Sequence, residues 1–346
     1  VTWTVNSAAG AGVEQVRPGI WSIPVDWPGS PLRYTLAYLI ESGGGTVLID
    51  TGWPSDAGWS GLAAGIASAG HALADIGYVL VTHAHPDHLG MAGRLREVSG
   101  ARVGMHPAEI DAVTRLRAGA GAERTSSWLA ERGAPDDEAA DIAEEIAGNL
   151  ARYRETALPD LVVEDGTLPV AGLGLRALWT PGHSPGHLCF HDEDRDLMLT
   201  GDHVLPGISP HIGLDGDGPA NPLGDYLSSL SRLGTFAPQE VLPAHQYRFT
   251  GLGRRVAALL AHHRQRLSEI EDTVAADPGA STWHIASLLS WSRGWVATEG
   301  MARRAAVSET LSHLAYLAAA ARIVNARPES SQVDSWLPGP RAGASW

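Results

Sequence analysis

Lysine is absent from this chain of 346 residues, and all 25 of its basic residues are arginine. Against 39 acidic residues this gives a formal charge of −14 at pH 7. Phosphate contacts need clustered cations, so neither nucleic acid nor an anionic membrane surface is expected as the main partner. A single cysteine, Cys189, permits no internal disulfide, which suits a reducing, cytoplasmic compartment. No apolar run approaches the ~20 residues of a membrane span. The first residues, Val1–Asn6, show neither the basic nor the apolar region of a secretory leader. What is left is an ordinary globular composition, 44% hydrophobic and 18% charged, long enough for one large or two modest domains.

Histidine is where the sequence is rich. In Val79-Leu80-Val81-Thr82-His83-Ala84-His85-Pro86-Asp87-His88-Leu89-Gly90, three histidines and an aspartate follow a β-branched apolar run. That run reads as a buried strand, and Pro86 and Gly90 mark the turn that ends it. Imidazole is the commonest metal ligand, and a carboxylate beside it suits a divalent ion that keeps water in its shell. Similar strand ends recur at Thr180-Pro181-Gly182-His183, Leu199-Thr200-Gly201-Asp202 and Val241-Leu242-Pro243-Ala244-His245. Rigid scaffolds place chemistry at such strand-to-loop junctions.

The order His-x-His-x-Asp-His, then His, Asp and His, resembles the metallo-β-lactamase superfamily over roughly residues 18–250. The resemblance implies an α+β fold, the αββα sandwich, with its ligands along one edge. It implies two divalent ions, zinc first with iron or manganese as alternatives. His83, His85 and His183 would hold one ion, Asp87, His88 and His245 the other, and Asp202 would bridge them. A metal-bridging hydroxide would attack an activated acyl carbonyl, with Asp87 also orienting it as a catalytic group. The wording Thr-Pro-Gly-His-x-x-Gly-His is most similar to the glyoxalase II and thioesterase-like branch. A thioester on a small-molecule or carrier handle is therefore the expected substrate. Glutathione is disfavoured, since the glyoxalases hold it partly with lysine. A lactonase or other ester hydrolase shares the ligand set, and a β-lactamase is a weaker alternative. Cys189 stands at the wrong place for the ligand cysteine of the classical β-lactamases. From another class, an iron-dependent oxidoreductase of this fold stays open.

Elsewhere the chain reads as strands at Gly19–Pro24, Arg33–Glu41 and Thr46–Asp50, a helix over Ser60–Ala69, and another over Met91–Val98. Residues 1–250 form the expected catalytic domain. Within it, 107–157 is a helical insertion longer than a connection needs, a possible lid with Trp128, Leu129 and Tyr153 facing substrate. Residues 251–346 turn helical and finish in two short extended pieces, Arg322–Ala326 and Val333–Trp336. This resembles the small winged-helix-like domain that follows some superfamily hydrolases. Asp50 is expected to support the ligand loop by accepting backbone N–H groups, and His187 and His203 to assist the ligands. His211, Tyr226 and Tyr247 are candidate substrate-binding residues, and Cys189 is expected in the core.

Overall fold

The structure, a computed structural model, describes residues 12–118, 124–150, 158–168, 170, 172–215, 218–327 and 331–341. By their contacts these fall into two compact units. One takes the described residues within Val1–Arg117, Glu155–Pro210 and Ser229–Val256, and the other those within Ala118–Arg154, His211–Ser228 and Ala257–Trp346.

Alternation along the strands builds the first unit. A seven-stranded sheet runs in chain order: β1 (Glu14–Arg17), β2 (Ile20–Asp26), β3 (Tyr34–Ser42), β4 (Gly45–Ile49), β5 (Ile76–Leu80), β6 (Arg102–Met105) and β7 (Leu161–Val162). Its first four strands pair antiparallel and the rest parallel. Both faces are buried. On β3, Leu36, Tyr38 and Ile40 enter one core while Ala37 and Leu39 enter the other. This is the period of two that a strand imposes on its side chains. β4 divides the same way, Val47 and Ile49 against Leu48. The near-continuous apolar reading of these strands reflects that double burial.

A second, five-stranded sheet contains β8 (Gly166–Thr167), β9 (Leu175–Trp179), β10 (Leu188–Asp192), β11 (Leu197–Gly201) and β12 (Glu240–Pro243), in the order β12-β11-β10-β9-β8. It is antiparallel except for β11 and β12. Leu175, Ala177, Leu188, Phe190, Leu197, Leu199 and Leu242 face the first sheet's Leu36, Tyr38, Ile40 and Leu80 in one apolar core. The acidic turn between β10 and β11 closes as a hairpin, with Arg195 donating to Asp192 at 2.7 Å and Asp196 left-handed at φ 57°.

The first sheet's other face is covered by α1 (Asp56–Ser68), α3 (Ala92–Ser99) and α4 (Pro107–Arg117), through Leu62, Ile66, Leu95 and Val113. Ser55 caps α1 by accepting from the Gly58 N–H, a placement the sequence obscured by starting the apolar pattern later. α2 (Pro86–Leu89) is a single turn opened by proline at its first position. Helix-on-sheet, sheet-on-sheet and sheet edges closing in loops give the αββα layering.

Of the insertion's helices α4 belongs to the first unit, and the two that follow it belong to the second. α5 (Thr125–Ala130) and α6 (Asp136–Leu150) share a core with the later α9 (Thr282–Leu288) and α10 (Gly300–Ala319), made by Leu129, Ala139, Ile142, Trp283, Ala286 and Val307. Backbone hydrogen bonds from Trp283 to Arg132 (2.8 Å) and from Asp334 to Glu131 (2.9 Å) join the same pieces. Two further helices, α7 (Pro222–Leu233), which the sequence reading did not anticipate, and α8 (Leu252–Ala276), precede them. The chain finishes in the antiparallel ladder β13 (Ile323–Asn325) with β14 (Trp336–Pro338). The second ladder strand lies beyond the expected Val333–Trp336 because Asp334 is taken up in bonding Thr282 at the start of α9. No helix among the described residues is long and apolar enough to cross a membrane.

Candidate metal centre

Five strand ends converge on one edge of the first unit. Asp50 follows β4, His83 and His85 follow β5, His183 follows β9, and Asp202 and His245 follow β11 and β12. Backbone hydrogen bonds stitch the two sheets together there, from Leu188 to Thr82 (2.9 Å) and from Leu36 to Ala244 (2.7 Å), and one from Ala244 to Gly201 (2.9 Å) ties the ends of β12 and β11. The loops that carry the site are thus held from both sides.

All seven expected ligands are brought together. His83 Nε2 lies 2.9 Å from His85 Nδ1, and His183 Nε2 lies 3.2 Å from each of them. A triangle of that size matches the edge of about 3.3 Å expected when three nitrogens bind one ion at about 2.0–2.1 Å. Beside it, Asp87 Oδ2 lies 3.3 Å from His88 Nε2 and 3.1 Å from His245 Nε2. Asp202 spans the two groups. Its Oδ2 is 3.7 Å from His183 Nε2 and 3.6 Å from His88 Nε2, and its Oδ1 is 3.3 Å from His245 Nε2. Each trio, His83/His85/His183 and Asp87/His88/His245, can present one ligand atom per residue to a common point.

The donors fit a pair of divalent cations. His88 Nε2, His245 Nε2 and Asp202 Oδ1 are buried and make no well-formed hydrogen bond, facing the neighbouring ligand atoms at 3.1–3.6 Å instead, and each ring is anchored at its far side. His88 Nδ1 donates to Asp50 Oδ2 at 2.7 Å, and His245 Nδ1 to the Tyr34 carbonyl at 3.1 Å. Polar atoms so buried cost free energy unless paired, and a cation supplies the partner. Anchoring one ring nitrogen selects the tautomer that aims the other at the metal. Asp50 does more: Oδ1 accepts from the Thr82 N–H at 2.8 Å, and Thr82 Oγ1 lies 2.9 Å from Oδ2. The expected support from below is present, with the grip on His88 in addition.

The two ligand groups differ in charge. Burial, followed by the neighbouring histidines, drives the His83 pKa well below its usual value and that of His85 down to about 3, so both rings are neutral and ready to ligate. Burial acts the same way on His88 and His245, but the carboxylates overcome it. Asp87, Asp50 and Asp202 raise His88 well above the usual value, and Asp202 and Asp87 raise His245 to about 10. Burial would likewise raise Asp87, yet His88 and His245 hold it well below the carboxylate range. A ligand must lose its proton before it binds a metal. Uptake of the ion at Asp87, His88 and His245 is therefore expected to release protons near pH 7 and to weaken as pH falls from about 10, while His83 and His85 have none to release there. Calorimetry of zinc binding in buffers of different ionisation enthalpy measures this; equal proton release at both steps would contradict the charge assignment.

Residues outside the expected set complete the support. Glu109, on α4, is buried and reaches two ligand loops, accepting from the Ala84 N–H at 2.8 Å and from the Gly186 N–H at 2.6 Å. No local pattern in Pro107-Ala108-Glu109 announces that role. His187 Nε2 accepts from the Asp202 N–H at 3.2 Å, so its Nδ1 carries the hydrogen and faces Thr180 Oγ1 at 3.0 Å. Gly201, at φ 50°, makes that approach possible, since a Cβ there would sit 2.7 Å from His187 Nε2. His203 is buried with its ring centroid 5.4 Å from that of His187. Trp27 and Trp53, both half-buried, stack at 4.8 Å, and Trp27 lies 6.2 Å from the His245 ring.

The candidate substrate-binding residues have separate fates. Tyr247 is half-buried two positions past His245, in the first unit. His211 belongs to the second unit, its Nδ1 3.6 Å from Glu309 Oε2. Tyr226 is a correction: it is fully buried in that unit with its ring edge-on to His263, so as folded it offers a substrate no surface. Leu129 is likewise buried in the helical core, and Trp128 lies between the Arg132 and Arg304 guanidinium groups at 5.1 and 5.2 Å. Tyr153 lies outside the described residues. Cys189 is core, as expected, and burial raises its thiol pKa to about 12.

Residues 30–245 match the model of the metallo-beta-lactamase superfamily. The chain is 28% identical over 264 residues to the lactamase-like protein adaB of Aspergillus niger, covering 75% of this chain and 64% of that protein's length. It is 31% identical over 221 residues to the acyl-coenzyme A thioesterase MBLAC2 of Bos taurus, covering 60% of this chain and 71% of that protein. Among solved structures, the metallo-beta-lactamase family protein TTHA1429 of Thermus thermophilus superposes with a TM-score of 0.79 at 29% identity, over 94% of this chain and all of that one. The converging His/Asp groups and the family match agree, and the chain belongs to the metallo-beta-lactamase superfamily.

Proposed function

We propose that this centre holds two divalent ions, zinc in the first instance, and hydrolyses an activated acyl carbonyl, with a thioester as the substrate. The observation that carries the dinuclear reading is Asp202, whose two oxygens face both ligand groups at 3.3–3.7 Å. His83, His85 and His183 would hold one ion, and Asp87, His88 and His245 the other. Bound there, the ions would supply a nucleophilic water at neutral pH and Lewis-acid stabilisation of a developing oxyanion. The protein's own part is orientation and dryness: Asp50, Glu109, His187 and the Tyr34 carbonyl fix the ligand rings and loops, and burial strengthens every charge interaction inside.

Two features favour a thioester and a third disfavours a β-lactam. The bovine relative bears the name of an acyl-coenzyme A thioesterase. Trp27 and Trp53 give an apolar wall beside His245, suited to an acyl group. The β-lactamase alternative loses support because the lone Cys189 is buried against Thr180 and Thr200, away from the ligand slot. We read the order α9, α10, β13, β14 as a winged-helix-like appendage.

The test is elemental analysis of the purified protein beside a panel of acyl thioesters, lactones and a chromogenic β-lactam. Two ions per chain, and a kcat/KM for thioesters at least about tenfold above the other classes, are expected; tenfold corresponds to about 1.4 kcal/mol of transition-state preference. Preferential lactone cleavage would transfer the assignment to a lactonase.

A further inference from the structure

The two loops that carry His83, His85 and His183 come from different sheets and lie about a hundred positions apart in the chain. Only backbone and side chains between them can set their spacing. Glu109 occupies that position: Ala84, whose N–H it binds, stands between His83 and His85, and Gly186, whose N–H it also binds, stands three residues after His183. One oxygen serves each loop, and the side chain is 1% exposed. The loops also close tightly around it, since a Cβ on Gly186 would lie 2.8 Å from both Glu109 Cγ and His106 Nδ1. His106 is itself held, its Nδ1 accepting from the Ala108 N–H at 3.2 Å and its ring stacked on Trp179 at 5.0 Å. The Asp87/His88/His245 group has no such tie to Glu109 and is anchored instead through Asp50 and Tyr34.

We infer that Glu109 is a positioning residue that staples the two loops of the His83/His85/His183 group and thereby sets the affinity for the ion held there, leaving the neighbouring ion unaffected. The inference rests on the metal-centre reading above. A carboxylate accepts through both oxygens, whereas glutamine has one acceptor and would turn its NH2 toward the other backbone N–H. Glu109→Gln should therefore release one loop while nearly preserving volume.

The experiment is zinc titration of the intact protein against a competing chelator, resolving the two affinities for wild type, Glu109→Gln, His85→Ala and the double variant. Glu109→Gln should weaken one of the two zinc affinities at least about tenfold, in the range seen for groups that orient metal ligands, and leave the other within about threefold. In the His85→Ala background, where the stapled group is already broken, it should have no further effect. A general loss of fold would move both affinities and would persist in that background. Should Glu109→Gln fail to fold, Gly186→Ala displaces the same staple from its other end and carries the same expectation. Equal weakening of both ions, or no weakening, would overturn the inference. Zinc uptake by neither wild type nor variant would instead remove the metal-centre reading itself, and the staple with it.

Discussion

Asp202→Ala is expected to lower kcat by about a thousandfold or more and to reduce the metal content, because this carboxylate is what the two ligand groups share. Its oxygens face His183 on one side and His88 and His245 on the other, all within 3.7 Å. On the dinuclear reading the substitution would remove a ligand to each ion, and it also removes one of the charges that raise the His88 and His245 pKa values. Loss of a single preorganised stabiliser of transition-state charge costs about 10²–10³ in rate, and loss of a shared ligand removes more than one such interaction. The buried core of the two sheets does not involve Asp202, so the variant should fold. Single-turnover kinetics, elemental analysis and a melting curve on the same preparation measure all three effects. Turnover within about tenfold of wild type would contradict the bridging role.

Asp50→Asn should cost about 10–100-fold in metal affinity or activity, the range for residues that orient a ligand from behind. The loss should fall on the ion at Asp87, His88 and His245, since Asp50 holds His88 Nδ1. Asp50 adopts the left-handed conformation, φ 59°, which asparagine also tolerates. The substitution thus isolates the carboxylate's charge and second acceptor from any backbone effect. Asp50→Ala should be worse in a second way. It leaves the buried Thr82 N–H without its acceptor, at about 1–3 kcal/mol, and adds about 1–2 kcal/mol for a left-handed alanine. Comparing the two variants by denaturant unfolding and by zinc affinity separates the electrostatic part from the structural one. If Asp50→Asn binds zinc as wild type does, the proposed grip on His88 is wrong.

The legible parts of this protein were those with local causes. The near-continuous apolar runs of β3 and β4, the acidic hairpin before β11 and the run into His83 all arise within a few residues of chain. Helix α7 was legible but passed over: Leu223, Tyr226, Leu230 and Leu233 recur at helical spacing and all four are buried. Trp27 and Trp53 carry no local signal, and they stack only because the turn after β2 and the loop after β4 lie side by side. Tyr226 was a candidate because a phenol can polarise a carbonyl, but α7 sets its buried ring edge-on to His263.

The sequence by itself determined the identity and order of the seven ligand-type residues, since strand ends and short-range turns specify where such side chains leave the scaffold. Only the tertiary structure decided what holds them. Glu109 reaches Ala84 and Gly186 across 25 and 77 positions, Asp50 reaches His88 across 38, and α5 and α6 share their core with α9 and α10. The physical reason is the same in each case: a buried polar group must find a partner and a half-apolar helix must find a face, and both are chosen by packing between segments that the chain order keeps far apart.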